Sequence, residues 1–277
     1  MDIKFLHSDN GTLIDYSSSV SRYTSGSATL PIVASEDYLY IGVRFPLNSI
    51  LFKMEAANTQ ASNLSVNYWT SSGWTSMVEV SDDTSNSGAT LGNTAHIDMV
   101  PNKTGAFLMA DTDKITGLES VTIYDRYWYR LSFSADLDAL TTLSYVGMTF
   151  SEDADLGAVY PDLNTANAKS RFESGKTSWE HQHVLAAEFL IDELIHRGAI
   201  DSGNQILVRD NYRKAAAYKV AELIYDSYGS DYEDDRLLAE QKYLKLLDKN
   251  NYKTDKNNDA ILNENETTVE QARFIRG

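Results

Sequence analysis

The feature that most constrains this chain is a change in apolar period along its length. In the first half, Leu39, Ile41, Val43 and Phe45 alternate with other residues, as do Leu64, Val66 and Tyr68, and Tyr127, Tyr129, Leu131 and Phe133. A period of two puts every second side chain on one face, which is the requirement of a strand with one face buried. Leu143, Tyr145 and Gly147 alternate with Val146, Met148 and Phe150, so that stretch is apolar on both sides and reads as a buried strand. Ser71-Ser72-Gly73 is a turn between Asn67–Thr70 and Trp74–Val78, and Ser81–Gly88 is a polar loop. All four prolines (Pro31, Pro46, Pro101 and Pro161) and ten of the fifteen glycines fall before residue 166. These signals predict an all-β sandwich of jelly-roll-like type over residues 1–165.

Beyond Pro161 no proline occurs, and the period becomes 3.6. Thr177 and Glu180 have capping-box spacing, with Ser178 as an alternative cap. A helix then runs to about Arg197 with Val184, Ala187, Ile191 and Leu194 on one face and Gly198 as its stop. A second runs from about Asp210 to Tyr228, with the stripe Tyr212, Ala216, Val220, Leu223 and Ile224, and ends at Gly229. A third starts near Asp231 and carries Leu237, Leu238, Leu244 and Leu247. Asp231, Glu233, Asp234 and Asp235 sit in its first turns, where the helix dipole favours anions. The expected organisation is a multidomain α+β chain. A sandwich (1–165) is followed by a helical bundle (166–250) and an extended, mostly polar tail (251–277).

Charge and residue usage exclude several functions. The chain has no cysteine, so disulfides, thiolate zinc sites and cysteine nucleophiles are ruled out. Its formal net charge of −16 argues against a general nucleic-acid-binding surface. No run of about 18 apolar residues is present, so no spanning helix is expected. The first eight residues lack a basic region followed by an apolar run, so they do not read as a secretory signal, and a cytoplasmic site of assembly is expected.

The motifs that could carry chemistry are few. Ser174-Gly175-Lys176-Thr177 matches the end of a phosphate loop, but Ser170 stands where the motif needs glycine and Ala168–Arg171 is no buried strand. A helix start explains it better. His181 and His183 lie about 200° apart on a helix and cannot share a metal ion, so they read as solvent or interface histidines. With no nucleophile elbow or dinucleotide fingerprint, no enzymatic activity is expected. Tyr68, Trp69, Trp74 and Trp128 could form a sugar-stacking platform, although strand aromatics more often pair in a core.

The tail holds the most specific pattern. Asp255, Asn257, Asp259, Asn263 and Glu266 fall at positions one, three, five, nine and twelve of a calcium loop, with the Ile261 carbonyl at seven. Ala260 departs from it, because that position wants a positive φ and therefore glycine. The expectation is one static calcium site or, failing that, a polar loop.

Two stretches together resemble a known family. Tyr68-Trp69, Gly73-Trp74, Asp83-Thr84 and Tyr127–Ser134 are similar to a β-sandwich module of bacteriophage virion proteins. The region from Trp179 through Ala215-Ala216-Ala217-Tyr218 to Asp234–Ala239 resembles the helical bundle of phage head–tail adaptors, also called connector or neck proteins. The resemblance implies a virion protein at the head–tail interface: a homo-oligomeric ring, commonly a dodecamer, docked on the portal protein and meeting tail or nozzle proteins. DNA would pass through it without specific binding, with no membrane involved. It implies that the C-terminal segment, with Val269, Arg273, Phe274, Ile275 and Arg276 as anchors, reaches the portal. Such a segment cannot fold alone but can order on a partner. Two other readings remain open: a glycan-binding virion protein acting at the host surface, and a glycoside hydrolase.

Overall fold

The computed structural model describes residues 2–23, 26–101, 106–249, 254–255 and 259–260. These residues form an α+β fold with two antiparallel sheets of eleven strands in all, and six α-helices. The described residues divide into two compact units, the first up to Met148 together with Asp259 and Ala260, the second from Thr149 to Asp255.

The first unit holds the strands β1 (Ile3–Asp9), β2 (Thr12–Asp15), β3 (Ala28–Thr29), β4 (Tyr38–Val43), β5 (Ser49–Ala56), β6 (Leu64–Thr70), β7 (Gly73–Ser76), β8 (Glu79–Asp82), β9 (Ala95–Val100), β10 (Tyr127–Phe133) and β11 (Thr142–Gly147), with one helical turn, α1 (Ser17–Val20). One sheet runs β2-β1-β4-β10-β6-β7 and the other β3-β11-β5-β9-β8. Asn10 and Gly11 join β1 to β2 with φ of 44° and 81°, the two-residue turn whose twist matches the strands it connects. The expected hairpin at Ser71-Ser72-Gly73 pairs Trp69 with Trp74 across β6 and β7.

Both sheets feed one core. Leu39, Ile41 and Val43 (β4), Val66 and Tyr68 (β6), and Tyr129, Leu131 and Phe133 (β10) come from the first. Ile50 and Phe52 (β5), Ile97 and Met99 (β9), and Leu143 and Val146 (β11) come from the second. Burying a phenol in such a core requires a partner for its hydroxyl. The Tyr129 hydroxyl donates to the Leu47 carbonyl at 2.9 Å and accepts the Leu47 N–H at 2.7 Å.

The outer face of the first sheet carries a second apolar cluster. Leu6, Tyr40 and Trp128 pack there with Ala110, Ile115 and Leu118 from the segment that precedes β10. Gly42 makes this possible, because a β-carbon at that position would stand 2.8 Å from the Trp128 ring. Gly42→Ala is expected to cost about 1–3 kcal/mol through overpacking, read as a lower denaturation midpoint. An unchanged midpoint would show that the indole can move aside.

His7 and Asp37 are 0% and 1% exposed, with Nε2 3.8 Å from the carboxylate. Asp37 already accepts the backbone N–H groups of Asn10 and Val33 at 2.8 Å each. Neither ring nitrogen of His7 has a hydrogen-bond partner. Burial pushes the His7 pKa down, against the opposing pull of Asp37 and Asp9. A histidine depressed in the folded state takes up its proton more readily when unfolded. Stability should therefore be full above the ordinary histidine value of 6.5 and decline as pH falls below it. Urea denaturation between pH 7.5 and 5 should show that loss, and His7→Gln should reduce it; an equal loss in both proteins would exclude His7 as the source.

The second unit holds α2 (Asp153–Val159), α3 (Ala166–Phe172), α4 (Glu180–His196), α5 (Arg213–Tyr228) and α6 (Glu233–Lys249). The division falls earlier than residue 165 because Leu156 of α2 and Leu163 pack with Trp179, Ala186, Val220 and Ile224 in the core of this unit. Helix α5 packs on α2, α4 and α6, so its three consecutive alanines, Ala215, Ala216 and Ala217, are all buried. Gly198 ends α4 at φ 67°, with its N–H on the Ile195 carbonyl and that of Ala199 on the Leu194 carbonyl. This pair of bonds satisfies carbonyls that the helix leaves open.

Two local expectations fail, one of them in part. Neither expected cap forms: α4 begins at Glu180 with Trp179 as its N-cap, and the Ser178 hydroxyl, one residue earlier, accepts the Glu180 N–H at 3.2 Å. The inward face of α6 holds only part of the expected leucine set. Leu247 is buried and Leu244 half-buried, but Ala239 and Tyr243 complete the buried face, whereas Leu237 and Leu238 are 38% and 45% exposed. Leucine alone therefore does not mark the buried side of this helix.

Candidate functional site

The best-connected polar cluster of the second unit centres on Asp153, the first residue of α2. Its Oδ2 accepts from Lys169 Nζ of α3 at 2.6 Å, and its Oδ1 accepts the Trp179 N–H at 2.9 Å and lies 3.3 Å from His183 Nε2 of α4. Lys169 Nζ also reaches Asn164 Oδ1 at 2.9 Å. On its other side, His183 Nδ1 is 2.8 Å from the Ser151 hydroxyl. One carboxylate thus ties the start of α2 to α3 and α4. Burial alone would push Asp153 up, but the contacts of His183, Lys169 and the Trp179 N–H prevail and hold it at about 2.

The order hydroxyl, imidazole, carboxylate is that of a nucleophile activated through a histidine. Here Ser151 and His183 are both buried, and the carboxylate is committed to Lys169 and the Trp179 N–H. The arrangement is suited to holding helices in register. His183 is therefore buried, not a solvent or interface histidine, while His181 is half-buried. Spacing within one helix could not reveal this, because the partners of His183 come from residues about 30 positions earlier.

Asp153 is held at about 2 in the folded state against the ordinary aspartate value of 3.8, so its contribution is present above about pH 4 and is lost as pH falls towards 2. Asp153→Asn is expected to cost about 2 kcal/mol at neutral pH, measured by chemical denaturation. A variant as stable as the parent would show that the carboxylate is dispensable.

The phosphate-loop remnant is a connector. Gly175 has φ 83°, and α3 precedes it in place of a strand. Lys176 lies over the rings of Phe172 and Trp179 at 5.2 and 5.4 Å and pairs with Glu173 at 4.0 Å.

The four aromatics considered as a sugar platform separate into two groups. Tyr68 faces the core, and Trp128 is fully buried in the outer cluster. Trp69 and Trp74 remain half-exposed, edge to face with centroids 5.2 Å apart.

Of the calcium-loop residues, Asp255 and Asp259 are described; Asn257, Ile261, Asn263 and Glu266 lie outside the described residues, as do Val269, Arg273, Phe274, Ile275 and Arg276. Asp255 is buried and its N–H bonds the Gln205 carbonyl at 2.9 Å. Ala260 has φ 58°, the left-handed turn that the loop pattern requires at that position and that alanine adopts at a cost of about 1–2 kcal/mol. Among the described residues no group of three or more His, Asp or Glu side chains is placed to hold a metal ion. No helix among them is long and apolar enough to cross a membrane.

Comparison with protein-family models, with curated proteins and with solved structures returns no match for this chain.

Proposed function

We propose that this chain is a structural head–tail adaptor of a tailed bacteriophage: a ring-forming virion protein that sits between portal and tail, with no catalytic role. The observation that carries the reading is the pair of outward leucines on α6. The helix already fills its inward face with Ala239, Tyr243 and Leu247, yet leaves Leu237 and Leu238 in solvent. On α4, Phe189 and Ile195 are likewise 47% and 41% exposed. Outward apolar side chains on two helices of one bundle suit a heterologous contact, in which one face of a subunit meets a different face of the next. The alanines of α5 serve the bundle interior, which leaves α4 and α6 as the elements for assembly.

Charge supports the same reading. A subunit at net −16 would line a channel that does not grip the phosphates of passing DNA. In this reading the two sheets are the faces of a jelly-roll-like sandwich held outside the ring or towards the tail. The segment 268–277 reaches the portal through Val269, Arg273, Phe274, Ile275 and Arg276, and calcium, if taken up through Asp255, Asn257, Asp259, Ile261, Asn263 and Glu266, orders the approach to it.

The test is to add the chain to purified portal rings and image the product. Closed rings on the portal are expected, with Leu237→Lys/Leu238→Lys reducing occupancy roughly tenfold or more while the helical circular-dichroism signal is retained. Wild-type occupancy in that variant would remove α6 from the interface. Virions carrying the labelled chain away from the neck would overturn the adaptor reading.

A further inference from the structure

The outer face of the first sheet carries a cation, Arg130, that no carboxylate among the described residues pairs with. Arg130 sits on β10 between Tyr40 of β4 and Asn67 of β6. It alternates with the inward Tyr129 and Leu131 and so points to the same side as Trp128. Its guanidinium lies over the Tyr38 ring at 4.9 Å and the Trp74 ring at 5.0 Å. Among the described residues it forms no ion pair, and its buried Nε has no hydrogen-bond partner, while the rest of the guanidinium meets the buried Tyr40 hydroxyl, on which Glu119 also acts. The half-buried side chain otherwise reaches solvent. In a chain with 40 acidic and 24 basic residues, carboxylates are plentiful. Arg126, four residues earlier, has one: it pairs with Asp2 at 2.9 Å.

The rings of Tyr38 and Trp74 lie against the guanidinium and the Tyr40 hydroxyl engages one part of it, which leaves its remaining N–H donors towards solvent. Those donors match the plane of a carboxylate. The surroundings add two features. Trp69 and Trp74 offer half-exposed indole surface, and Trp74 is anchored by its Nε1–H donating to the Thr116 carbonyl at 3.1 Å. Asn67, whose amide donates to the Ser76 hydroxyl at 3.1 Å, supplies polar groups that can pair with hydroxyls. Flat apolar surface, an oriented amide and a planar cation that no described carboxylate pairs with together fit a sugar ring that bears an acid group.

We propose that this face of the first sheet binds a saccharide carrying a carboxylate, with the carboxylate on Arg130 and the pyranose ring against Trp69 and Trp74. The site lies on a different unit from the helices assigned to assembly and does not depend on that assignment.

Titration of the full chain, followed by tryptophan fluorescence and calorimetry, tests the proposal. The probes are 3′-sialyllactose and trigalacturonate, with lactose as the neutral control and a glutamate-rich peptide as the acidic control. At least one acidic saccharide should bind saturably at millimolar concentration or below, roughly tenfold or more tighter than lactose, and more weakly as salt rises. Arg130→Gln should weaken that binding roughly tenfold or more. Trp69→Ala, a substitution at a half-exposed position, should weaken it too and serves as the test if the arginine variant does not fold. The proposal is overturned if neither acidic saccharide binds, if lactose binds as well as they do, if the peptide binds more tightly than both, or if neither substitution changes the affinity.

Discussion

Strand β10 has to satisfy two apolar layers at once, and the first unit is arranged around that demand. Its inward residues Tyr129, Leu131 and Phe133 enter the core shared by both sheets, and its outward Trp128 is equally buried. A sheet with one face in water would give that indole no cover. Here the segment before β10 folds back over it, with Ile115 and Leu118 against the ring and the Ala110 carbonyl 3.3 Å from its Nε1. The cover is partial, and where it ends Arg130 and Trp74 reach solvent. The open patch is therefore a product of the same alternation that builds the core.

The second unit depends on a polar interaction in addition to its apolar core. Removing a carboxylate from water is costly unless its lone pairs are filled. Asp153 meets that condition by gathering a lysine, a histidine and a backbone N–H from α3, α4 and the turn between them. These contacts join the start of α2 to α3 and α4, and Leu156 of α2 packs in the same unit's apolar core.

How much of this could be read from the chain depends on how local the cause is. The hairpin at Ser71-Ser72-Gly73, the buried strand at Leu143–Gly147 and the three long helices follow from period and turn chemistry within a few residues. So does the stop at Gly198. The Asn10-Gly11 turn was equally local, a strong hairpin signal in the sequence that the period-two pattern did not draw on. The rest was not local. Leu237 and Leu238 read as a buried stripe because leucine usually is buried, but the side of α6 that faces inward is decided by neighbouring helices. His183 owes its burial to Ser151 and Asp153, which sit far away in sequence. The early division of the chain turns on Leu156, one apolar residue in a short acidic helix. Arg130 is invisible as a site in the sequence, since only pairing across β4, β10 and β6 sets it between two rings.

The four tryptophans are divided in a way that makes the protein its own reporter. Trp128 is wholly buried in the first unit and Trp179 in the second, while Trp69 and Trp74 are half-exposed on one hairpin. Each unit thus contains one indole shielded from water, and its emission shifts only when that unit opens. Replacing Trp69, Trp74 and one of the buried pair with phenylalanine leaves the other as a single optical probe, so the order in which the two units unfold can be followed without attaching a label.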